Sequence, residues 1–254
     1  MSLHVETIGS GAPLVLLHGW GMHGGVWGDV AQRLSQCFQV HCVDLPGFGA
    51  STSLPKTDLD SLVRSLSEHF MEPVSVCGWS LGGQVAMHWA VREPTKVDKL
   101  IVVTSTPCFT NREDWPFGLP SEVLEKFATE LEQNHATTLR RFISLQLRGS
   151  ENERELLTKL REQLFSRGEP DMSALRGGLE ILRDADQRLE VSGIQQQTLV
   201  IAGQRDKLTP PEASHYLAQV IPNARLVEIE GAAHTPFLSH PEVFIEHVKS
   251  FLNE

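Results

Sequence analysis

The chain has 254 residues, of which 41% are hydrophobic, and its formal net charge is −10 at pH 7. This length and hydrophobic content suit one α/β domain with an insertion. The acidic balance excludes a general nucleic-acid-binding protein, and apolar runs such as Leu14 to Leu17 are too short to span a bilayer.

The first part of the chain alternates between strand and helix patterns. Short apolar runs predict strands at 13–17, 38–43, 73–77 and 99–103. Helical spacing of apolar residues predicts helices at 26–34, 59–70 and 84–91. Strands separated by helices predict a mostly parallel sheet that helices cover on both faces.

The pattern changes after residue 105. Residues 106–120 are rich in chain breakers and predict a linker. Helical periodicity alone then predicts helices at 121–134, 136–147, 152–166 and 173–184. Strands resume at 197–202 and 225–229, with helices at 211–220 and 241–252. We therefore predict a core of residues 1–105 and 191–254, interrupted by an all-helical cap of residues 106–190.

The segment Gly78-Trp79-Ser80-Leu81-Gly82 lies between a predicted strand and a predicted helix, which is the context of a nucleophile elbow. The glycines permit a sharp turn. That turn raises the Ser80 hydroxyl above the sheet edge, at the positive end of the following helix. We predict that Ser80 is a nucleophile; the alternative is an ordinary turn residue.

A serine nucleophile needs a base, and the base needs an orienting acid. Sites in parallel sheets collect at the carboxyl ends of the strands. Asp206 and His234 each follow a predicted strand, and the order Ser80, Asp206, His234 is that of α/β-hydrolases. We predict that these three residues are catalytic. Asp184 and Asp186 are the rival acids, but they lie at the end of the helical block.

An oxyanion hole requires two backbone N–H donors. We predict the amides of Leu81, which follows the nucleophile, and of Trp20, in the glycine-rich loop after the first predicted strand; the alternative for this loop is a plain turn. The side chains of Trp20 and Trp79 either form walls of an acyl pocket or pack in the core. The segment from Asp44 to Gly49 lacks the lysine of a phosphate loop, and we interpret it as a tight turn near the site.

Other features of the sequence argue against a metal site, a cofactor and a secretory signal. The four cysteines show no CxxC pair and no zinc-site spacing: Cys37, Cys42, Cys77 and Cys108. No metal-ligand cluster and no cofactor motif is present in the sequence, so we expect neither a metal nor a cofactor. The first six residues lack the basic region and apolar core of a secretory signal. We expect a cytoplasmic monomer that binds no membrane.

The segments HGWG, DLPGFG, GWSLGG, GQRD and AAHTPF resemble the α/β-hydrolase superfamily along nearly the whole chain. Three further regions, STPCF with DWP, RFISLQ and GGLEIL, resemble the esterases that hydrolyse the methyl ester of pimeloyl-acyl carrier protein in biotin synthesis. The resemblance implies a carboxylesterase whose partner is an acyl carrier protein. It implies substrate-binding roles for Trp20, Trp79, Ser80, Leu81, Phe142, Gln146 and His234. Phe142 has an alternative role in packing the cap against the core.

The resemblance also implies that the cap docks the acidic carrier. Residues 140–176 carry eight basic and six acidic side chains in a chain that is acidic overall, and such a contrast steers an acidic partner. Arg141, Arg154 and Lys159 are the predicted docking residues. Thr137 and Thr158 stand where the resemblance suggests further arginines. The alternative is an ordinary solvated surface of mixed charge.

Two other activities fit the same three catalytic residues. One is a broad-specificity short-chain carboxylesterase, in which the cap selects short acyl chains. The other is a carbon–carbon bond hydrolase of the same fold. Dehalogenase chemistry needs a carboxylate at the elbow, and Ser80 therefore argues against it. An intact triad argues against a non-enzymatic receptor.

Overall fold

The computed structural model describes residues 2–254. Its strands are β1 (His4–Ile8), β2 (Pro13–Leu17), β3 (Gln39–Asp44), β4 (Val74–Trp79), β5 (Val97–Val103), β6 (Gln197–Gly203) and β7 (Ala224–Ile229). They form one sheet in the order β1-β3-β2-β4-β5-β6-β7. Only β1 runs antiparallel, and every other neighbouring pair is parallel.

The α-helices are α1 (Gly28–Leu34), α2 (Leu59–His69), α3 (Leu81–Arg92), α4 (Ser121–Gln146), α5 (Glu153–Leu164), α6 (Met172–Asp184), α7 (Pro211–Val220), α8 (Pro236–Ser239) and α9 (Pro241–Leu252). Helix α1 packs with α9, and α2 packs with α3. The central strand β4 is buried along its whole length, as expected for a parallel strand covered on both faces. The predicted fold class is confirmed.

Strand β1 is an addition to the predicted elements. It pairs antiparallel with β3, His4 opposite Asp44 and Ile8 opposite Val40. Its residues are only half-buried or exposed, so this edge strand depends on pairing rather than on an apolar pattern.

Three helices, α4 to α6, fill the connection between β5 and β6 and fall within the range 106–190. Helix α4 packs against both α5 and α6. Its backbone leaves the helical conformation at Asn134, where φ is −159° and ψ is 87°. The Asn134 side chain accepts a hydrogen bond from the amide of Thr137 (3.0 Å) and so begins the second half of the helix. This break lies at the predicted boundary between the first two cap helices.

No helix within residues 2–254 combines the length and the apolar character needed to cross a membrane.

Candidate active site

Ser80 lies at the turn between β4 and α3, where its φ is +54° and its ψ −118°. Glycine is required on both sides of this turn. A Cβ at Gly78 would lie 2.2 Å from the carbonyl oxygen of Gly82, and one at Gly82 would lie 2.4 Å from that of Leu17. The chain therefore closes tightly around Ser80, in the geometry of a nucleophile elbow.

The structure brings the three predicted catalytic side chains together in one chain of hydrogen bonds. Ser80 Oγ lies 2.9 Å from His234 Nε2, and His234 Nδ1 lies 2.8 Å from Asp206 Oδ2. The three residues follow β4, β7 and β6, so the carboxyl edge of the parallel sheet assembles them. All three are buried.

Asp206 accepts hydrogen bonds at both carboxyl oxygens. Its Oδ1 accepts from the amides of Leu208 (2.8 Å) and Thr209 (3.1 Å), and its Oδ2 accepts from the Thr209 hydroxyl (2.7 Å). Since these partners are donors, the carboxylate acts as acceptor throughout, and Nδ1 of His234 carries the proton that it donates to Oδ2. Thr209 is not among the residues predicted from the sequence.

Of the two residues predicted to form the oxyanion hole, Leu81 directly follows the nucleophile and Trp20 belongs to a loop that lies against it. A Cβ on Gly19, the neighbour of Trp20, would lie 3.3 Å from Ser80 Cβ. Leu81 is the first residue of α3, and neither its amide nor that of Trp20 donates a backbone hydrogen bond within residues 2–254. Both N–H groups are thus free to bind an oxyanion.

His18 fixes the loop that carries Trp20. Its Nδ1 donates to the carbonyl of Gly19 (2.8 Å), and its Nε2 accepts from the amide of Leu45 (3.0 Å). Both ring nitrogens are therefore used by the neutral imidazole. Burial lowers the pKa of His18 to about 4, so the ring stays neutral at neutral pH. His18 belongs to the HGWG segment, but the sequence alone predicts no role for it.

The rings of Trp20 and Phe142 pack together and so join the loop after β2 to α4. Their rings meet edge to face at 4.8 Å, and Trp20 Nε1 donates to the carbonyl of Leu175 in α6 (2.9 Å). Trp79 lies elsewhere: its ring contacts His234, and its Nε1 donates to the His234 carbonyl (2.8 Å). Trp79 is fully buried and also packs against Phe237, so the structure gives it a contact with the base, and its substrate contact stays a prediction.

Gln146, at the end of α4, is buried (1% exposed), and neither polar atom of its side chain has a hydrogen-bond partner within residues 2–254. Its backbone carbonyl accepts from the amide of His234 (3.3 Å). An unsatisfied buried amide costs free energy. Gln146 thus lies next to His234 in the structure, and its contact with the substrate stays a prediction.

The predicted docking residues differ in their surroundings. Arg141 pairs with Glu130 (Nη1–Oε1 2.6 Å) and Lys159 pairs with Glu155 (2.8 Å), whereas Arg154 is exposed and has no ion pair within residues 2–254. Among residues 140–176, the other exposed arginines without an ion pair in the described chain are Arg140, Arg148 and Arg161.

No group of three or more histidine, cysteine, aspartate or glutamate side chains in residues 2–254 is placed to hold a metal ion.

The family model for the alpha/beta hydrolase fold matches residues 12–241. The chain belongs to the α/β-hydrolase family. Two of its relatives, from Nitrosomonas europaea and Chromobacterium violaceum, are each named pimeloyl-[acyl-carrier protein] methyl ester esterase and are 43% identical to it. The alignments cover 96% and 99% of this chain and 97% and 98% of the relatives. Within the α/β-hydrolases, the chain groups with these esterases.

Solved structures agree with the fold. The esterase EaEST from Exiguobacterium antarcticum is 26% identical, with a TM-score of 0.91 over 99% of this chain and 96% of its own. A bromoperoxidase from Bacillus anthracis has the same TM-score of 0.91 at 21% identity, over 99% of this chain and 95% of its own. The second likeness concerns the fold alone, because one fold hosts many activities.

Proposed function

We propose that this protein is a serine carboxylesterase that hydrolyses the methyl ester of pimeloyl-acyl carrier protein, a step in forming the pimelate moiety of biotin. The observation that carries the chemistry is the chain of hydrogen bonds from Asp206 through His234 to Ser80. The names of the relatives support the substrate.

The proposed reaction has two halves. Ser80 Oγ attacks the ester carbonyl while its proton passes to His234 Nε2, and the amides of Trp20 and Leu81 hold the oxyanion. The bond to the methoxy oxygen breaks, and methanol leaves with the proton from His234. Water then attacks the acyl-enzyme by the same route and releases the acid. Asp206 stabilises the imidazolium in both halves.

Trp20, Phe142 and Gln146 support a substrate with a long apolar chain and a polar group within it. The two rings offer apolar contact to methylene groups, while the unpartnered Gln146 amide offers a donor and an acceptor to a carbonyl.

We infer that the carrier docks on the helical segment through its unpaired cations. Arg154 offers an unpaired positive charge to an acidic partner. Arg141 and Lys159 can bind such a partner only after they break their ion pairs with Glu130 and Glu155. Arg154 therefore leads the predicted set, and Arg141 and Lys159 contribute less. Localised charges of this kind chiefly accelerate encounter and select the partner.

A paired assay tests the hydrolase proposal. The wild-type protein and Ser80→Ala are purified alike and assayed with p-nitrophenyl butyrate, and both are exposed to a fluorophosphonate that labels activated serines. We expect turnover and stoichiometric labelling in the wild type and a loss of at least about 10³-fold in the variant. Equal turnover in the two proteins would refute the proposed nucleophile.

A further inference from the structure

We propose that Thr104, the residue directly after β5, is a positioning residue that sets the place of His234 relative to Ser80. The proposal rests on the hydrolase chemistry proposed above. Thr104 is 1% exposed and does not belong to the hydrogen-bonded triad. It acts on the reaction only through the backbone of the base.

The backbone of Thr104 is strained. Its φ is +38°, and within residues 2–254 the only other non-glycine residue with positive φ is Ser80 itself. A β-branched side chain is a genuine outlier in this region of backbone space. Such conformations persist where the surrounding structure imposes them, and they concentrate at functional sites.

The strained conformation lets Thr104 bond in two directions. Its amide donates to the carbonyl of Ile201 in β6 (2.8 Å), and its hydroxyl donates to the carbonyl of His234 (2.8 Å). The indole of Trp79 donates to the same carbonyl at 2.8 Å. Two donors therefore occupy both lone pairs of the His234 carbonyl and fix its backbone in two directions.

The same short segment also holds the nucleophile. The amide of Ser80 donates to the carbonyl of Val103 (3.1 Å), and the hydroxyl of Ser105 donates to the carbonyl of Ser80 (2.6 Å). Residues 103–105 thus bond the backbones of both Ser80 and His234. The distance of 2.9 Å between Ser80 Oγ and His234 Nε2 depends on this shared support.

Displacement of the base should slow chemistry and leave binding intact. A misplacement of about 1 Å in an active site can lower the rate about a hundredfold. Thr104 does not contact Trp20, Phe142 or Gln146 through any hydrogen bond. Loss of its hydroxyl is therefore expected to lower kcat and to change KM little.

Three variants separate the hydroxyl from the strain. Thr104→Val keeps the shape and the strain but loses the hydroxyl, Thr104→Ser keeps the hydroxyl, and Thr104→Gly loses the hydroxyl while relieving the strain. We expect Thr104→Val and Thr104→Gly to lower kcat for p-nitrophenyl butyrate about tenfold, and Thr104→Ser to retain most of the wild-type kcat. Urea denaturation of each variant, run beside the kinetics, distinguishes a low kcat in a folded protein from a loss of stability.

Thr198→Val is the matched control. Thr198 is also fully buried, and its hydroxyl also donates to a backbone carbonyl, that of Gln196 (3.0 Å). This bond lies at the start of β6, whereas Asp206 follows the end of that strand. We expect it to lose stability while keeping kcat within about twofold of the wild type. If Thr104→Gly retains wild-type kcat, or Thr104→Ser is as slow as Thr104→Val, the positioning role is wrong.

A spectroscopic measurement keeps this test separate from the proposed function. Failure of wild-type turnover would refute the esterase proposal alone. The downfield proton NMR signal of His234 Nδ1–H, bonded to Asp206, reports the placement of the base without substrate. We expect it to shift in Thr104→Val and Thr104→Gly and to remain in Thr104→Ser and Thr198→Val; an unchanged signal in all four would overturn the inference.

Discussion

Arg167, in the loop after α5, forms an ion pair with Asp44 at the end of β3: Nη1 lies 2.9 Å from Oδ1, and the Asp44 side chain is 0% exposed. Arg167 also pairs with Glu6 of the edge strand. Asp44 further accepts the amides of Gly24 (2.7 Å) and Ala50 (2.9 Å). The helical segment is therefore tied to the sheet at a buried charge.

Removing Arg167 should destabilise the protein. Arg167→Met leaves Asp44 buried without an opposite charge, which costs about 3 kcal/mol of unfolding free energy. Urea denaturation measures this cost. The control is Arg176→Met, which breaks a pair with Glu132 whose two side chains are 51% and 50% exposed. We expect this variant to lose much less stability than Arg167→Met, because water screens an exposed pair. If the two variants lose equal unfolding free energy, the buried pair contributes no more to stability than the exposed pair.

His18 should make stability depend on pH. The pKa of its buried imidazole is about 4 in the folded protein, against 6.5 for the ordinary side chain. Below pH 6.5 the unfolded chain binds a proton that the folded chain does not, so stability falls as the pH falls from 6.5 towards 4. The unfolding free energy should change by up to about 1.4 kcal/mol per pH unit because of this one group.

Denaturation of the wild type and of His18→Gln across this pH window tests the assignment. Glutamine does not titrate, so the unfolding free energy of the variant should change less with pH. The difference from the wild type should correspond to at most one bound proton. Parallel curves for the two proteins would mean that His18 does not carry this dependence.

Gly178 of α6 should control the placement of Trp20. A Cβ at Gly178 would lie 2.5 Å from Cδ1 of the Trp20 indole. Gly178→Ala should push the indole away and disturb the oxyanion loop, lowering kcat about tenfold. Gly193→Ala is the control, because a Cβ there meets no atom within 4 Å. Steady-state kinetics with a small ester should separate the two; wild-type kcat in Gly178→Ala would contradict the proposed role of this contact.

Arg154 should matter for the carrier-bound substrate alone. Arg154→Glu reverses an exposed, unpaired charge and should raise KM for the acyl carrier protein ester about fivefold at low salt, with no change for p-nitrophenyl butyrate. High salt should weaken the effect. The matched control is Arg64→Glu, an exposed arginine of α2 without an ion pair in the described residues. Equal effects of the two variants would place the carrier elsewhere.

The core of the site could be predicted because its residues lie at strand ends. Ser80, Asp206 and His234 are far apart in sequence, but parallel strands bring their carboxyl ends to one edge. The predicted strands and their order along the chain were therefore enough to bring the three side chains together.

Other features depend on partners that a local pattern does not contain. The sequence around Asp44 predicts only a turn, because Arg167, its ion-pair partner, follows 123 residues later. Similarly, β1 lacks an apolar pattern and is formed by its pairing with β3. The positive φ of Thr104 is imposed by tertiary hydrogen bonds, although its place directly after a predicted strand was a signal that could have marked it.

The most direct test of the proposed function is a mass-spectrometric time course on methyl-pimeloyl-acyl carrier protein, with Ser80→Ala alongside. We expect the wild type to remove the mass of one methylene group, the change from methyl ester to acid, while the thioester stays intact. Ser80→Ala should leave the mass unchanged. An unchanged substrate with a wild-type protein that still cleaves p-nitrophenyl butyrate would contradict the proposed substrate and favour a broad-specificity carboxylesterase.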